Sequence, residues 1–275
     1  MTRQRTARDK IVVFQRARLP GTALSVVDTV GATTPRVSLG FTVALNVGGP
    51  HRYVARGSRW VVNEGALVVS EPGNVFSAEP CARRHRVHVL FLDAAILADP
   101  EARQSWRHGA FRRVPVVNDD GLRKRFRDLA ACVQTRHGDE LEAEETLAAF
   151  VAALRAVHTG PALETAGAGI DRAAIRRAQE RLHDAFADAV TLDELARASE
   201  LPKMRFLRSF KRNIGMAPHA YQVQLRVDLA RRMLAQGAEV ADAATAAGFC
   251  DQSHLHRHFT RTVGVTPGVY RRATK

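Results

Sequence analysis

The sequence predicts a two-domain α+β protein. An N-terminal β-barrel backed by a helical hairpin precedes an all-α domain built from two helix-turn-helix units. Three observations carry this. Short β-rich runs separated by turn residues fill the chain up to about Asp93, the pattern of a sandwich or barrel. Apolar residues at helical spacing dominate from about Leu122 onward. Finally, one stretch occurs twice: Phe206, Arg208, Phe210, Gly215, Pro218 and Tyr221 recur as Leu255, Arg257, Phe259, Gly264, Pro267 and Tyr270, each 49 residues on. Leu192, Leu195, Ala196 and Leu201 map onto Val240, Ala243, Ala244 and Phe249 at an offset of 48, so the second turn is one residue longer than the first. Duplication at a fixed period marks a repeated supersecondary unit.

Taken in order, the strand candidates are residues 11–14, 23–30, 37–47, 53–55, 60–62, 66–69 and 87–92. Arg56-Gly57-Ser58 marks a hairpin and Pro72-Gly73-Asn74 another turn. Asn118-Asp119-Asp120 caps a helix whose Leu122, Phe126, Leu129 and Val133 share a face, and after Gly138 the residues Leu147, Phe150, Val151 and Leu154 do the same. This apolar stripe either covers the barrel or pairs with a second subunit. Thr159-Gly160-Pro161 through Gly167-Ala168-Gly169 reads as a linker. The expected domains are therefore 1–158 and 170–275, joined by 159–169.

The second domain opens with Asp171 capping a helix whose Ile175, Ala178, Leu182 and Phe186 face one way. Thr191-Leu192-Asp193-Glu194 is a capping box. A recognition helix is expected over about 203–213. Pro218 suits the first turn of a connecting helix, with Tyr221, Leu225, Leu229 and Met233 along one side and a stop near Gln236-Gly237. About 19 residues at roughly 1.5 Å each give about 28 Å, near the roughly 34 Å turn of DNA. In the second unit Gly248 permits a sharp turn, Asp251 can cap the next helix, and Leu255 and Phe259 recur on its inner face. Gln252, Ser253, His256 and Arg257 fall on the outer face. Their amide, hydroxyl, imidazole and guanidinium groups suit base edges and phosphates.

Gly248-Phe249-x-Asp251-Gln252-Ser253-His254-Leu255-x-Arg257-x-Phe259, followed by Gly264-x-Thr266-Pro267-x-x-Tyr270-Arg271, resembles the C-terminal signature of the AraC/XylS-type transcription regulators. The resemblance is close over Ile170 to Arg272 and looser over the first 160 residues. It implies a DNA-binding domain of two helix-turn-helix units joined by a long helix, behind an effector-binding and dimerising domain. Carried over position by position, it assigns DNA contacts to Lys203, Met204, Leu207 and Arg208 in the first unit. In the second unit it assigns them to Asp251, Gln252, Ser253, His256 and Arg257. The first unit departs from the pattern, since Pro202 stands where a capping Ser or Thr is common and Met204 and Leu207 are apolar. Such side chains can meet thymine methyls, or Leu207 can simply be packed. Asn63-Glu64-Gly65 with Leu67 to Gly73 resembles the strand-turn repeat of that family's small cupin-like barrel. A barrel of this kind closes around a small ligand, with Phe41, Tyr53, Trp60 and Phe76 as candidate lining and core packing as their alternative role. The partners implied are double-stranded DNA, a small-molecule effector, a second copy of the chain, and RNA polymerase if the protein activates.

Composition sets limits. The net charge is +13, with eighteen Lys and Arg against eleven Asp and Glu from Ile170 onward, so the excess is spread over both halves. A basic surface attracts polyanions in a salt-dependent way. Cys81, Cys132 and Cys250 lack a C-x-x-C spacing and are odd in number, which argues for free thiols in a reducing cytoplasm. No run approaches the roughly 18 apolar residues of a membrane span. His51, His85 and His88 are candidate metal ligands, but His85 and His88, three apart on a strand, face opposite sides, and surface or otherwise satisfied histidines are the favoured reading. No nucleophile motif or phosphate-binding glycine loop is present, so neither an enzyme nor a cofactor is expected. The competing classes are a cupin-type metalloenzyme fused to a DNA-binding module, and a regulator whose first domain answers to a protein.

Overall fold

The computed structural model describes residues 2–6, 10–15, 19, 21–29, 33, 35–55, 58–79, 85–97, 115–134, 139–158 and 171–274. Cys81, Gly138, Ile170 and the expected 159–169 linker lie outside them. The first part contains β1 (Thr2–Thr6), β2 (Lys10–Gln15), β3 (Thr22–Thr29), β4 (Phe41–Asn46), β5 (His51–Ala55), β6 (Ser58–Val62), β7 (Leu67–Ser70), β8 (Phe76–Ala78) and β9 (His85–Leu92). The short helix α1 (Ala94–Leu97) and β10 (Val116–Val117) follow, then α2 (Asp120–Gln134) and α3 (Glu140–His158). A seven-stranded antiparallel sheet runs β1-β2-β3-β9-β4-β7-β10, and a second sheet runs β6-β5-β8. Arg56 and Gly57 are outside the described residues, but Ala55 pairs with Ser58 on either side of them, as a hairpin requires.

The large sheet sorts its residues by the two-residue period of a strand. Phe41, Val43 and Leu45 of β4, Leu67 and Val69 of β7, and Leu90 and Leu92 of β9 form one core with Leu122, Phe126, Leu129, Phe150 and Leu154 of α2 and α3. The apolar stripe of the helical hairpin is therefore spent on the barrel. Asp119 Oδ1 accepts from the Leu122 N–H at 2.6 Å and anchors the first of those helices. The intervening residues Thr42, Ala44, Asn46, Ser70, Val87 and Val89 point the other way, into a cavity between the sheets.

The expected strand at 37–47 begins only at Phe41. Val37 and Leu39 leave the sheet and pack with Ile175, Leu182, Phe210 and Tyr221 of the helical domain. Arg-rich β1, three-residue β8 and two-residue β10 carry too little apolar alternation to be read from sequence.

The second part comprises α4 (Arg172–Ala185), α5 (Leu192–Ala198), α6 (Lys203–Ile214), α7 (Pro218–Ala235), α8 (Val240–Ala246), α9 (Gln252–Val263) and α10 (Pro267–Thr274). The duplication is visible in three dimensions. Helices α5 and α8 have 7 residues each, and α6 and α9 have 12. Both recognition helices end on a left-handed glycine, Gly215 at φ 92° and Gly264 at φ 94°. Phe210 meets Tyr221 edge-on at 5.7 Å between centroids, and Phe259 meets Tyr270 at 5.5 Å. The loop between α5 and α6 covers residues 199–202 and that between α8 and α9 covers 247–251, so the second is one residue longer. Helix α7 has 18 residues, about 27 Å at roughly 1.5 Å per residue.

Candidate functional site

On α6, Phe206, Ser209 and Phe210 are buried, so Lys203, Met204 and Arg208 project outward and Leu207 is half-buried. Met204 is 65% exposed, which is unusual for an apolar side chain with no partner surface in the chain. On α9, burial of Leu255, Phe259 and Val263 leaves Gln252, Ser253, His256 and Arg257 exposed. The structure thus brings the sequence-derived residues onto two equivalent exposed faces. Two carry local duties as well. Asp251 Oδ1 accepts from the His254 N–H at 2.7 Å and caps α9, and Lys203 Nζ lies 2.6 Å from Asp193 on α5. At the start of α6, Pro202 offers no side-chain cap.

One expected cap has another role. Asp171 makes no side-chain bond to its helix N terminus; it accepts from Arg205 Nη2 at 2.8 Å and from Ser209 Oγ, tying α4 to the buried side of α6. These bonds and the Arg205 charge hold its carboxyl below the ordinary carboxylate range. Thr191 and Glu194 do form the expected reciprocal capping box on α5.

The two units are fixed to each other at the loop after α4. Arg226 Nε donates to Phe186 O at 2.7 Å and its Nη2 to Asp188 O at 2.8 Å, while Gln222 Nε2 reaches both carbonyls. Ala187 of this loop abuts Gly248 in the turn of the second unit. His254 and His258 of α9 pack on Phe249 of that turn, the first edge-on at 5.2 Å and the second tilted at 6.2 Å between centroids. Burial and then the neighbouring cations push the His258 pKa down to about 4, so its ring stays neutral.

The second feature is a cavity of about 160 Å³. Its walls come from both sheets and also from Gln224, Val227, Asp228 and Arg231 of α7, the Thr262–Val263 end of α9, and Tyr270 and Thr274 of α10. Of the aromatic residues expected to line it, Tyr53 and Phe76 do. Phe41 does not, because its parity on β4 turns it into the core against α2 and α3. Trp60, opposite Tyr53 on the edge strand β6, is also outside the lining.

Charged groups unforeseen from sequence face this space. Arg231 donates to Asp228 Oδ1 through Nε at 3.0 Å and Nη2 at 2.9 Å, and its guanidinium lies 4.2 Å over the Phe91 ring. Asp228 also accepts from the Leu39 N–H at 2.9 Å and Ser38 Oγ at 3.3 Å, joining the domains. Arg36 lines the cavity with its Nε unbonded, and burial followed by the Arg231 charge lowers its pKa to about 10. At the other end His51 stacks on His85 at 4.5 Å, with His51 Nδ1 unbonded. Burial, then the His85 charge, lowers the His51 pKa to about 4. His88 lies elsewhere, near Arg86 and Arg127. No group of three or more His, Cys, Asp or Glu able to hold a metal occurs among the described residues. The missed signal was a charged pair, Asp228 and Arg231, three residues apart on α7 and both buried.

The domains meet at further points. Tyr221 Oη donates to Gly73 O at 2.9 Å, is 2.7 Å from His183 Nε2, and accepts from Gln179 Nε2 at 3.3 Å. Arg232 Nη1 pairs with Asp93 at 2.9 Å.

A helix-turn-helix pair with two polar outer faces, docked on a barrel that encloses a cavity, is the domain arrangement of DNA-binding regulators with a ligand-binding domain. Comparison with known proteins agrees. Residues 195–273 match a helix-turn-helix domain family and residues 29–151 match the AraC-like ligand binding domain. The chain belongs to the AraC/XylS-type transcription regulators. It is 38% identical over 76 residues to the uncharacterised HTH-type transcriptional regulator YbfI of Bacillus subtilis, covering 28% of each chain. It is 36% identical over 95 residues to the transcriptional activator NphR of a Rhodococcus species, covering 34% of this chain and 27% of that one. The chain thus spans about a quarter of the length of these curated relatives. Among solved structures, apo ToxT of Vibrio cholerae shares the fold at TM-score 0.58 and 11% identity, over 94% of this chain and all of that one. An unsaturated fatty acid-bound ToxT matches at TM-score 0.55 and 10% identity, over 93% of this chain and 96% of that one. No helix among the described residues is long and apolar enough to cross a membrane.

Proposed function

We propose that this chain is a sequence-specific DNA-binding transcription regulator controlled by a small molecule held in the cavity between the barrel and the helices. The observation that carries the reading is the pair of equivalent exposed faces on α6 and α9, held apart by α7 and locked by Arg226 and Gln222. Arg208 and Arg257 take guanine edges or phosphates. Gln252 and His256 read base edges, Ser253, Lys203 and Asp251 flank them, and Met204 and Leu207 meet thymine methyls. ToxT holds a fatty acid within the same fold, which supports a small organic effector here. The barrel and the helical domain divide at 159–169, the protein acts in the cytoplasm as a homodimer, and RNA polymerase is its partner if it activates. The metalloenzyme alternative is disfavoured because, among the described residues, His51 pairs with one other imidazole and with no third metal-capable side chain. Selection of duplexes from a randomised pool tests the reading: enrichment of one sequence supports it, and retention of all sequences alike would refute sequence-specific recognition.

A further inference from the structure

On the reading that the cavity holds the effector, we propose that this effector is a small monocarboxylic acid. Its body is apolar and about one ring in size, it carries a hydrogen-bonding group at the far end, and its carboxylate sits on Arg36 between the two domains. The charge balance points to the acid. Arg36, Arg231 and Asp228 face the space, and Asp228 already serves Arg231 through two bonds, which leaves Arg36 without a carboxylate among the described residues. A half-buried guanidinium with an unbonded Nε carries a desolvation cost that an arriving carboxylate offsets with parallel charged hydrogen bonds. Thr42 Oγ1 is also buried and unbonded, and Thr42 pairs with Phe91, the ring beneath Arg231. This marks one polar end.

The middle of the cavity is aliphatic and aromatic, with Val27, Val87 and Val89 from the sheet and Val227 and Val263 from the helices. The far end is polar again, because His51 is 6% exposed with Nδ1 unbonded and its neutral ring stacks on His85. Asn46 binds Val62 O beside it at 3.2 Å, so β4 runs from one polar end at Thr42 to the other at Asn46. Four residues of strand at roughly 3.3 Å each set about 13 Å between the ends. A volume of about 160 Å³ matches a one-ring body, since an engineered apolar cavity of about 150 Å³ takes up benzene. A long acyl chain exceeds it. Val263 closes α9, so a molecule in this space touches the recognition helix and the barrel at once.

The test titrates the full chain with 4-hydroxycinnamate, cinnamate, the amide of each, and oleate, reading melting temperature and direct binding. The expected order is 4-hydroxycinnamate, then cinnamate, with each amide weaker than its acid by on the order of tenfold or more. Arg36→Gln removes the acid preference; if that variant fails to fold, the acid and amide comparison on the wild type still decides. Amides binding as tightly as acids would overturn the carboxylate assignment, and oleate binding best would overturn the size. Should a neutral probe bind and lose binding in Ala44→Leu, which fills the cavity, the acid proposal falls while the effector site stands. Failure of every probe to bind overturns the proposal, and the effector reading is then judged separately by whether any metabolite changes DNA affinity.

Discussion

Gly248→Ala offers a stringent test of how the two units are joined. Gly248 has φ 77°, and a Cβ there falls inside the contact radius of the Ala187 carbonyl oxygen, with the carbonyl carbon at 2.7 Å and Cα at 2.9 Å. Left-handed backbone costs a non-glycine residue about 1–2 kcal/mol. The contact is with backbone, so relief requires the 186–188 loop to move, and that loop is held by Arg226 and Gln222. Losing one charged hydrogen bond adds about 1.5–3 kcal/mol, for a total of roughly 3–5 kcal/mol. The duplication supplies the control, because Glu200 occupies the equivalent place in the first turn at φ 54°. There the left-handed strain is relieved by Glu200→Gly, offset in part by the roughly 0.5–1 kcal/mol entropic cost of glycine. Circular dichroism melts are expected to show a fall of more than about 10 °C for Gly248→Ala and a change of a few degrees at most for Glu200→Gly. A Gly248→Ala protein melting within about 2 °C of wild type would refute the argument.

Other expectations concern the recognition face, the domain contact and pH. Gln252→Ala should leave the melting temperature almost unchanged and alter the selected sequence, whereas Phe259→Ala should cost about 3–5 kcal/mol and lose all DNA binding; the reverse outcome would mean the α9 phase is wrong. Tyr221→Phe removes the shorter of two cross-domain bonds to the Gly73 carbonyl, leaving the 3.4 Å bond from Gln179 Nε2, and should lower stability in urea by about 0.5–1.5 kcal/mol with helix content unchanged. His51 and His258 have folded pKa values lowered to about 4, so an unfolded chain binds protons that the fold refuses. Their stabilisation is fully present above the unfolded value of about 6.5 and falls as pH drops from there toward 4. Melts across that range should decline, with a shallower slope in His51→Gln; an equal slope would assign the decline to other groups.

The helical half was legible because its instructions are local. Leu255 and Phe259, the Gly215 and Gly264 stops, Pro218 and Pro267, and the 48 and 49 offsets each constrain a turn or a face without reference to distant residues. The barrel was legible as strands but not as an interior. Large apolar residues such as Phe41 look like pocket lining, yet in this sheet the apolar parity faces α2 and α3, and the small or polar parity of Thr42, Ala44, Asn46 and Ser70 faces the cavity. Alternation of that kind was present in the sequence; which parity faces which neighbour depends on where the helices dock. Asp171 shows the same limit, since a carboxylate one residue before a helix looks like a cap until Arg205 and Ser209 arrive from 34 and 38 residues away. The Asp228, Ser38 and Leu39 junction spans about 190 residues and has no local signature.

On the proposed reading, the 18-residue α7 sets α6 and α9 about one DNA turn apart, so one chain places them in two successive major grooves. Hydroxyl-radical footprinting of a selected duplex with wild type, Arg208→Ala and Arg257→Ala measures this directly. Wild type should protect two segments on one face of the duplex, about one helical turn of 10–10.5 base pairs apart, and each variant should weaken protection in a different one of them. A single protected segment, or loss of the same segment in both variants, would contradict the account.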